Sequence, residues 1–276
     1  MTNVYETKHN QAVFRGLLYS CTIWIICCAL RVSRLPFRPT PPGIATEALR
    51  AMAAAPATAL TPTLVVDHLV WCVDSVAEGI EKFEKLTGVR PCIGGQHLGL
   101  GTHNALLSLG DGVYLEILAL DPAQKMEARW IGIDCPSKPC LATYCVQADG
   151  KLEDVQASAK AKGYDIGSIK DYSRENTEGK TLKWRLAADH HTSGYEKLPS
   201  RGLVPFIVDW SVNPLEHPSA ISPKGCRLAE LRAYHPNPEE LRKVFEALNL
   251  KGITIETGDT ERLEAILDSP NGHVKI

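Results

Sequence analysis

The sequence predicts an α+β protein built from repeated β-α-β-β-β modules, preceded by an N-terminal segment that is disordered or serves targeting. Three observations predict it. A Val- and Leu-rich run, LVVDHLVWCV, leads into an amphipathic stretch, VAEGIEKFEKLTG. Two apolar runs then flank Gly110-Asp111-Gly112. The same order recurs from Lys138. The folded part, residues 61–276, therefore divides into modules at about 64–121, 138–212 and 226–276.

In the first module, LVVDHLVWCV carries β-branched residues and an aromatic, which favours a strand. Ser75 with Glu78 three residues on forms a capping-box pattern. Val76, Ile80, Phe83 and Leu86 follow at helical spacing, and Gly88 supplies the terminator. The piece Val89–Ile93 is expected to be a short strand. Gly94, Gly95, Gly99 and Gly101 crowd the stretch after it, which reads as a loop. That stretch is not GxGxxG at a strand–helix junction, so it is no dinucleotide site. ALLSLGDGVYLEILAL reads as a hairpin.

The second module begins with the strand KPCLATYCV and the helix LEDVQASAKAKG. TLKWRLAAD and GLVPFIVDWS supply further strands. The polar inserts DYSRENTEGK and DHHTSGYEKLPSRG read as loops, and His190-His191 falls in the second of them. Adjacent residues of a strand face opposite ways, so that pair is no simple metal clasp. The third unit runs from the strand CRLAELRAYH through a helix with Asn237 as N-cap and Pro238 in its first turn. ITIETG, RLEAILDS and HVKI supply its remaining strands. With no module left to pair with, this unit either extends the sheet of the others or pairs with a second subunit in a homodimer.

Residues 1–60 stand apart. Six of the 30 Lys and Arg but only two of the 32 Asp and Glu lie there. GLLYSCTIWIICCAL is an uncharged run that as a helix would reach about 22 Å, short of the ~30 Å hydrocarbon core. Three readings stay open. The segment is a cleaved organelle-targeting sequence, or a membrane anchor if retained, or it lies upstream of a cytoplasmic start at Met52. Pro36, Pro39, Pro41 and Pro42 make the link extended.

Composition bounds the function. Hydrophobic residues make up 44% and charged residues 22%, as in ordinary globular proteins. A net charge of -2 gives a nucleic-acid partner no electrostatic support. The nine cysteines show no CxxC pair, so neither a disulfide framework nor a zinc knuckle is expected. Walker, GxSxG and HExxH motifs are absent.

Two residues carry the chemistry. His68 shares a strand face with Val66 and Val70, and Glu116 shares one with Tyr114 and Leu118. A buried glutamate needs a partner. From separate strands facing one cavity, the two suit a divalent metal or a general acid/base pair. A histidine satisfied in the core and a glutamate on a solvent face remain the plain alternative.

DHLVW, GTHNALL and YLEIL in this order resemble the glyoxalase-like domain of the vicinal oxygen chelate superfamily, which includes the bleomycin-resistance and dioxygenase proteins. The resemblance implies βαβββ modules curled into open barrel-like sheets. It places a metal (Zn, Fe, Mn or Ni) on His68 and Glu116, with Glu116 also catalytic. It implies that His103 and Asn104 line the cavity mouth and that Asp209, Trp210 and His217 face the same cavity to bind substrate. Thr143 falls near the position equivalent to His68, and Asp209 near that of Glu116, so the second pair of ligands is incomplete. The implied activity is metal-assisted lyase, isomerase or dioxygenase chemistry on a small vicinal-oxygen substrate. The alternative is a protein of the same fold that binds or sequesters a small ligand.

Overall fold

The computed structural model describes residues 62–125, 130–175, 179, 181–210 and 214–276. The expectations for the N-terminal segment lie outside the described residues. Among the described residues, no helix is long and apolar enough to cross a membrane.

Module one comprises β1 (Val65–Cys72), α1 (Val76–Thr87), β2 (Cys92–His97), β3 (Thr102–Ser108) and β4 (Tyr114–Leu120). Ser75 caps α1, and Gly88 ends it in the left-handed region at φ 78°. The hairpin turn holds Gly110, Asp111 and Gly112 at φ 73°, 48° and 82°, which only glycine or a short polar residue adopts readily. Module two comprises β5 (Cys140–Gln147), α2 (Leu152–Ala161), β6 (Ile169–Glu175), β7 (Thr181–Ala187) and β8 (Phe206–Trp210).

The two modules share one eight-stranded sheet in the order β2-β3-β4-β1-β5-β8-β7-β6. β1 and β5 meet antiparallel at its centre, while each runs parallel to the last strand of its own module. The sheet curls until its edges approach, and the Arg174 guanidinium on β6 donates to the Gly94 carbonyl on β2 at 2.7 Å. The result is a curled half-barrel, as the family resemblance implied.

Both edge strands correct the sequence reading. The glycine-rich stretch is β2 and its turn into β3, and DYSRE, read as loop, lies within β6. Neither run has the apolar alternation of a strand with a buried face. Polar side chains line one face of β6, and β2 spends Gly94 on close approach. Gly94 is an extra residue in β2, unpaired between Ile93 and Gly95. A Cβ there would lie 2.2 Å from Asn104 Oδ1 and 2.9 Å from Leu106 Cγ.

Side chains alternate between two apolar regions. On the convex face Leu69, Trp71, Leu115, Ile117 and Tyr144 pack beneath the helices. On the concave face Val70, Cys72, Leu118, Cys145, Phe206 and Val208 fill the inside of the curl. The third unit does not extend the large sheet. β9 (Arg227–His235), β10 (Thr254–Thr257), β11 (Arg262–Ser269) and β12 (Gly272–Lys275) make a separate sheet in the order β10-β9-β11-β12. Leu231, Ala233, Ala265 and Leu267 of this sheet join the convex-face core. Between β8 and β9 lies the short helix α3 (Pro218–Ile221), and after β9 comes α4 (Pro238–Leu248). Asn249, left-handed after α4, accepts from the Leu64 amide at its carbonyl and so ties this unit to the start of β1.

His191 lies in the turn after β7, buried against Phe206, with Nε2 donating to the Val204 carbonyl at 3.0 Å. Burial pushes its imidazole down to about 4, against the Val204 hydrogen bond. The unfolded chain takes up the proton first, so this contribution to stability is complete above pH ~6.5 and is lost as the pH falls toward 4, by up to about 3 kcal/mol. Urea denaturation of wild type and His191→Phe between pH 7 and 4.5 checks this. The variant should lose stability less steeply, by up to one proton per molecule.

Candidate functional site

The curl encloses a cavity open to solvent. His68, Glu116, Asn104, His97 and Arg174 form its polar part, and Trp130, Tyr172, Trp184, Phe206 and Trp210 line much of the rest.

The polar part is organised by Asp67. Val66 pairs with Val146 and His68 with Cys145, so Asp67 is an extra residue in β1. This bulge frees Asp67 from strict alternation and lets its side chain reach the same side as His68. The Asp67 carboxylate is wholly buried. Its Oδ1 accepts from His68 Nδ1 at 2.6 Å, and its Oδ2 accepts from Trp210 Nε1 at 3.0 Å and His217 Nε2 at 3.1 Å. Burial alone would raise the Asp67 carboxyl, but the hydrogen bonds from His217 and His68 outweigh it and hold the group below the ordinary carboxylate value.

Because a carboxylate only accepts, His68 carries its proton on Nδ1. Its Nε2 is then turned to Glu116 Oε2, 3.8 Å away. Tyr114 stacks on the His68 ring with centroids 4.6 Å apart, which fixes the ring plane. Glu116 is steadied by Asn104 Nδ2, which donates to Oε1 at 2.7 Å and also approaches His97 Nε2 at 3.3 Å. His97 Nδ1 then donates to Thr102 Oγ1 at 2.9 Å. Burial pushes the His97 imidazole down against the pull of Glu116. On its far side His217 accepts from Ser219 at Nδ1, so an unbroken polar chain runs from Ser219 through His217 and Asp67 to His68.

The sequence-predicted residues divide. His68, Glu116, Asn104 and Trp210 line the cavity. His217 stands behind it, joined through Asp67, with its ring edge-on to Trp210 at 5.2 Å. His103 alternates with Asn104 along β3 and points to the other face of the sheet. Asp209 likewise alternates away from Val208 and Trp210. It pairs with Arg185 and accepts from the Gly150 amide at 2.7 Å, which anchors the turn before α2. The strand register also corrects which residue matches Glu116. Val70 faces Glu116 in the first module, and Cys145 faces Phe206 in the second, so Phe206 rather than Asp209 holds the equivalent place.

Sequence reasoning missed Asp67, His97 and Arg174. An aspartate inside a Val/Leu strand was a usable signal, because such a group must find partners when buried. His97 and Arg174 were hidden in strands read as loops.

Two donor sets can be tested for a divalent cation. Donor atoms of Asp67, His68 and Cys145 lie within 4.8 Å of one another. A cation there would compete with the bonds Asp67 already accepts. It would also need a thiolate, whereas burial, with Asp67 and Glu116 adding to it, pushes the Cys145 thiol well up. His68 Nε2 and Glu116 Oε2 fit better. Among the described residues neither atom has a hydrogen-bond partner, and both face the cavity. Their 3.8 Å separation is slightly wider than the ~3.4 Å between tetrahedral donors at ~2.1 Å from a metal. The Asp67–His68 bond is the outer support typical of a ligating histidine. His97 Nε2, 3.7 Å from Glu116 Oε1, is a third donor within reach of a small shift.

Gly94→Ala tests the packing that sets Glu116. The added methyl would strike Asn104 and Leu106, and a loss of about 1–3 kcal/mol is expected in chemical denaturation. Combined with Asn104→Ala, which removes the nearer obstacle, the double variant should be more stable than the sum of the single losses predicts. Strict additivity would show that the two side chains do not meet.

Comparison with known proteins adds the following. A family model described as the glyoxalase-like domain matches residues 66–249. A search of curated proteins finds no match. Among solved structures, a hypothetical protein from Staphylococcus aureus is similar at 14% identity and a TM-score of 0.53, covering 72% of this chain and 88% of that one. Methylmalonyl-CoA epimerase from Mycobacterium tuberculosis aligns at 14% identity and a TM-score of 0.34, covering 58% and 96%. The Streptomyces coelicolor epimerase in complex with 2-nitronate-propionyl-CoA aligns at 13% identity and 0.35, covering 55% and 99%. The first of these shares the fold, and the weaker overlap of the epimerases says nothing about the site.

Proposed function

Because this chain belongs to the glyoxalase-like domain family of the vicinal oxygen chelate superfamily, we propose that its cavity is the active site of a small-molecule enzyme that moves a proton on an oxygen-bearing substrate, assisted by a divalent cation. The observation that carries this reading is the pair of free donor atoms, His68 Nε2 and Glu116 Oε2, facing each other across 3.8 Å. His68 and Glu116 would hold the cation, with His97 the third donor to hand. When bound, the cation would supply Lewis-acid polarisation of the substrate's oxygens.

The chain's own residues supply the rest. Asp67 holds His68 in the tautomer that leaves Nε2 unprotonated, and His217 and Trp210 hold Asp67 in turn. Asn104 ties Glu116 through Oε1 and holds Oε2 toward the cavity, where it would serve the cation or, once displaced from it by substrate, take a proton from a substrate carbon beside a carbonyl. Arg174 adds a permanent positive charge to the same cavity, which favours an anionic substrate. Trp130, Leu186 and Phe206 exclude water from around the reacting atoms.

A second reading has its own support. Thr143 and Phe206 occupy the second-module places that match His68 and Glu116, and Thr143 Oγ1 is already committed to the Gly202 carbonyl at 3.1 Å. Half a ligand set suits a protein that binds a small ligand without turning it over.

Metal analysis of the purified full-length chain separates the two. The enzyme reading expects about one Zn, Fe, Mn or Ni per chain. Affinity should fall at least tenfold in His68→Ala and in Glu116→Gln, and by ~10–100-fold in Asp67→Asn, which loses the outer support. A wild type that takes up none of these metals while retaining a small molecule through purification would overturn it in favour of the binder.

A further inference from the structure

The cavity is divided by chemistry along its length. The concave face of module two presents a band of rings. Tyr172 on β6 pairs in register with Trp184 on β7, which pairs with Trp210 on β8. Their ring centroids stand 6.4 Å and 5.4 Å apart, and Trp130 continues the band at 5.7 Å from Tyr172. Three of the chain's five tryptophans thus line one cavity. Tyr172, Trp184 and Trp210 are only half-buried, so the band is open to whatever enters. Large rings left partly wet in a concave site are the usual mark of a ligand wall.

The buried Arg174 guanidinium lies one alternation along β6 from Tyr172, on the same face. Its bond to the Gly94 carbonyl engages one of five donor hydrogens. Among the described residues, no carboxylate lies within ion-pair distance of it. An unpaired buried cation is costly, and a planar fork suits a carboxylate.

We propose that the site takes a planar aromatic molecule carrying a carboxylate. The ring lies against Tyr172 and Trp184, and the carboxylate meets Arg174. The proposal rests on the active-site reading above and names the substrate class for it. An aliphatic acid leaves the ring wall wet. A neutral aryl compound leaves Arg174 unpaired. The chemistry on the page therefore selects for both features together.

Isothermal titration calorimetry on the full chain with phenylpyruvate, pyruvate and phenylacetamide as probes tests this. Phenylpyruvate should bind at least tenfold more tightly than either of the others. Trp184→Ala should erase the preference over pyruvate and keep the preference over phenylacetamide. Arg174→Met should do the reverse. Because Arg174 also closes the sheet seam, Arg174→Lys is measured beside it, and weakened carboxylate preference in that folded variant serves the same end. Equal binding of phenylpyruvate and pyruvate overturns the proposal, as do unchanged preferences in the variants. Metal content is read in the same samples. Ring and carboxylate selectivity without metal uptake leaves this inference standing and removes the enzyme reading. Metal uptake without selectivity does the opposite.

Discussion

The site depends on one buried charge. Asp67 sits wholly out of water in the central strand of the sheet, where an unpaired carboxylate would cost several kcal/mol or more. Three N–H donors from three separate segments answer it: His68 beside it, Trp210 at the end of β8, and His217 in the segment before α3. Each of these donors is itself set in place by that demand. The His68 tautomer follows from it, and so does the direction of Nε2. Trp210 is pinned by its indole N–H and thereby sets the end of the ring band. One acidic residue at a bulge thus couples the polar end of the cavity to its aromatic end.

The two modules have the same topology and opposite roles. At matching places module one offers His68 and Glu116, and module two offers Thr143 and Phe206. The ordered polar groups therefore gather on one side, and module two contributes surface for recognition: Tyr172, Trp184, Trp210 and the Arg174 fork. Closure of the sheet brings the two sides together. Arg174 makes the closing contact to Gly94, the same glycine whose missing side chain leaves room for Asn104 to hold Glu116. A single seam therefore positions both the proposed proton acceptor and the proposed anion clamp.

Much of the fold was legible in the sequence. The runs LVVDHLVWCV and VYLEILAL, the capped helix at Ser75 and the Gly-Asp-Gly turn are local signals, and local sterics and alternation are enough to read them. His68 and Glu116 were legible as a pair because both interrupt apolar strands on the cavity-facing alternation. Asn104 and Trp210 came with the resemblance and do face the cavity. The edge strands β2 and β6 were not legible. Their exposed faces break the alternation, and the reason for Gly94 in β2 is a contact with β3 rather than a turn. His103 and Asp209 show the limit of reading one strand at a time, since a neighbour of a cavity residue points away from it.

By itself the sequence determined the repeating order of strands and helices, the family to which the chain belongs and the two strand residues around which the site is built, because all of these are written in near neighbours. Tertiary structure decided what those residues face. A bulge turned Asp67 toward His68, the strand register put Phe206 rather than Asp209 opposite the second-module centre, and sheet closure carried Arg174 across to Gly94. The third unit became a separate sheet on the convex face. Each outcome is set by contacts between residues far apart in the chain, where burial and hydrogen bonding, not local propensity, select the arrangement.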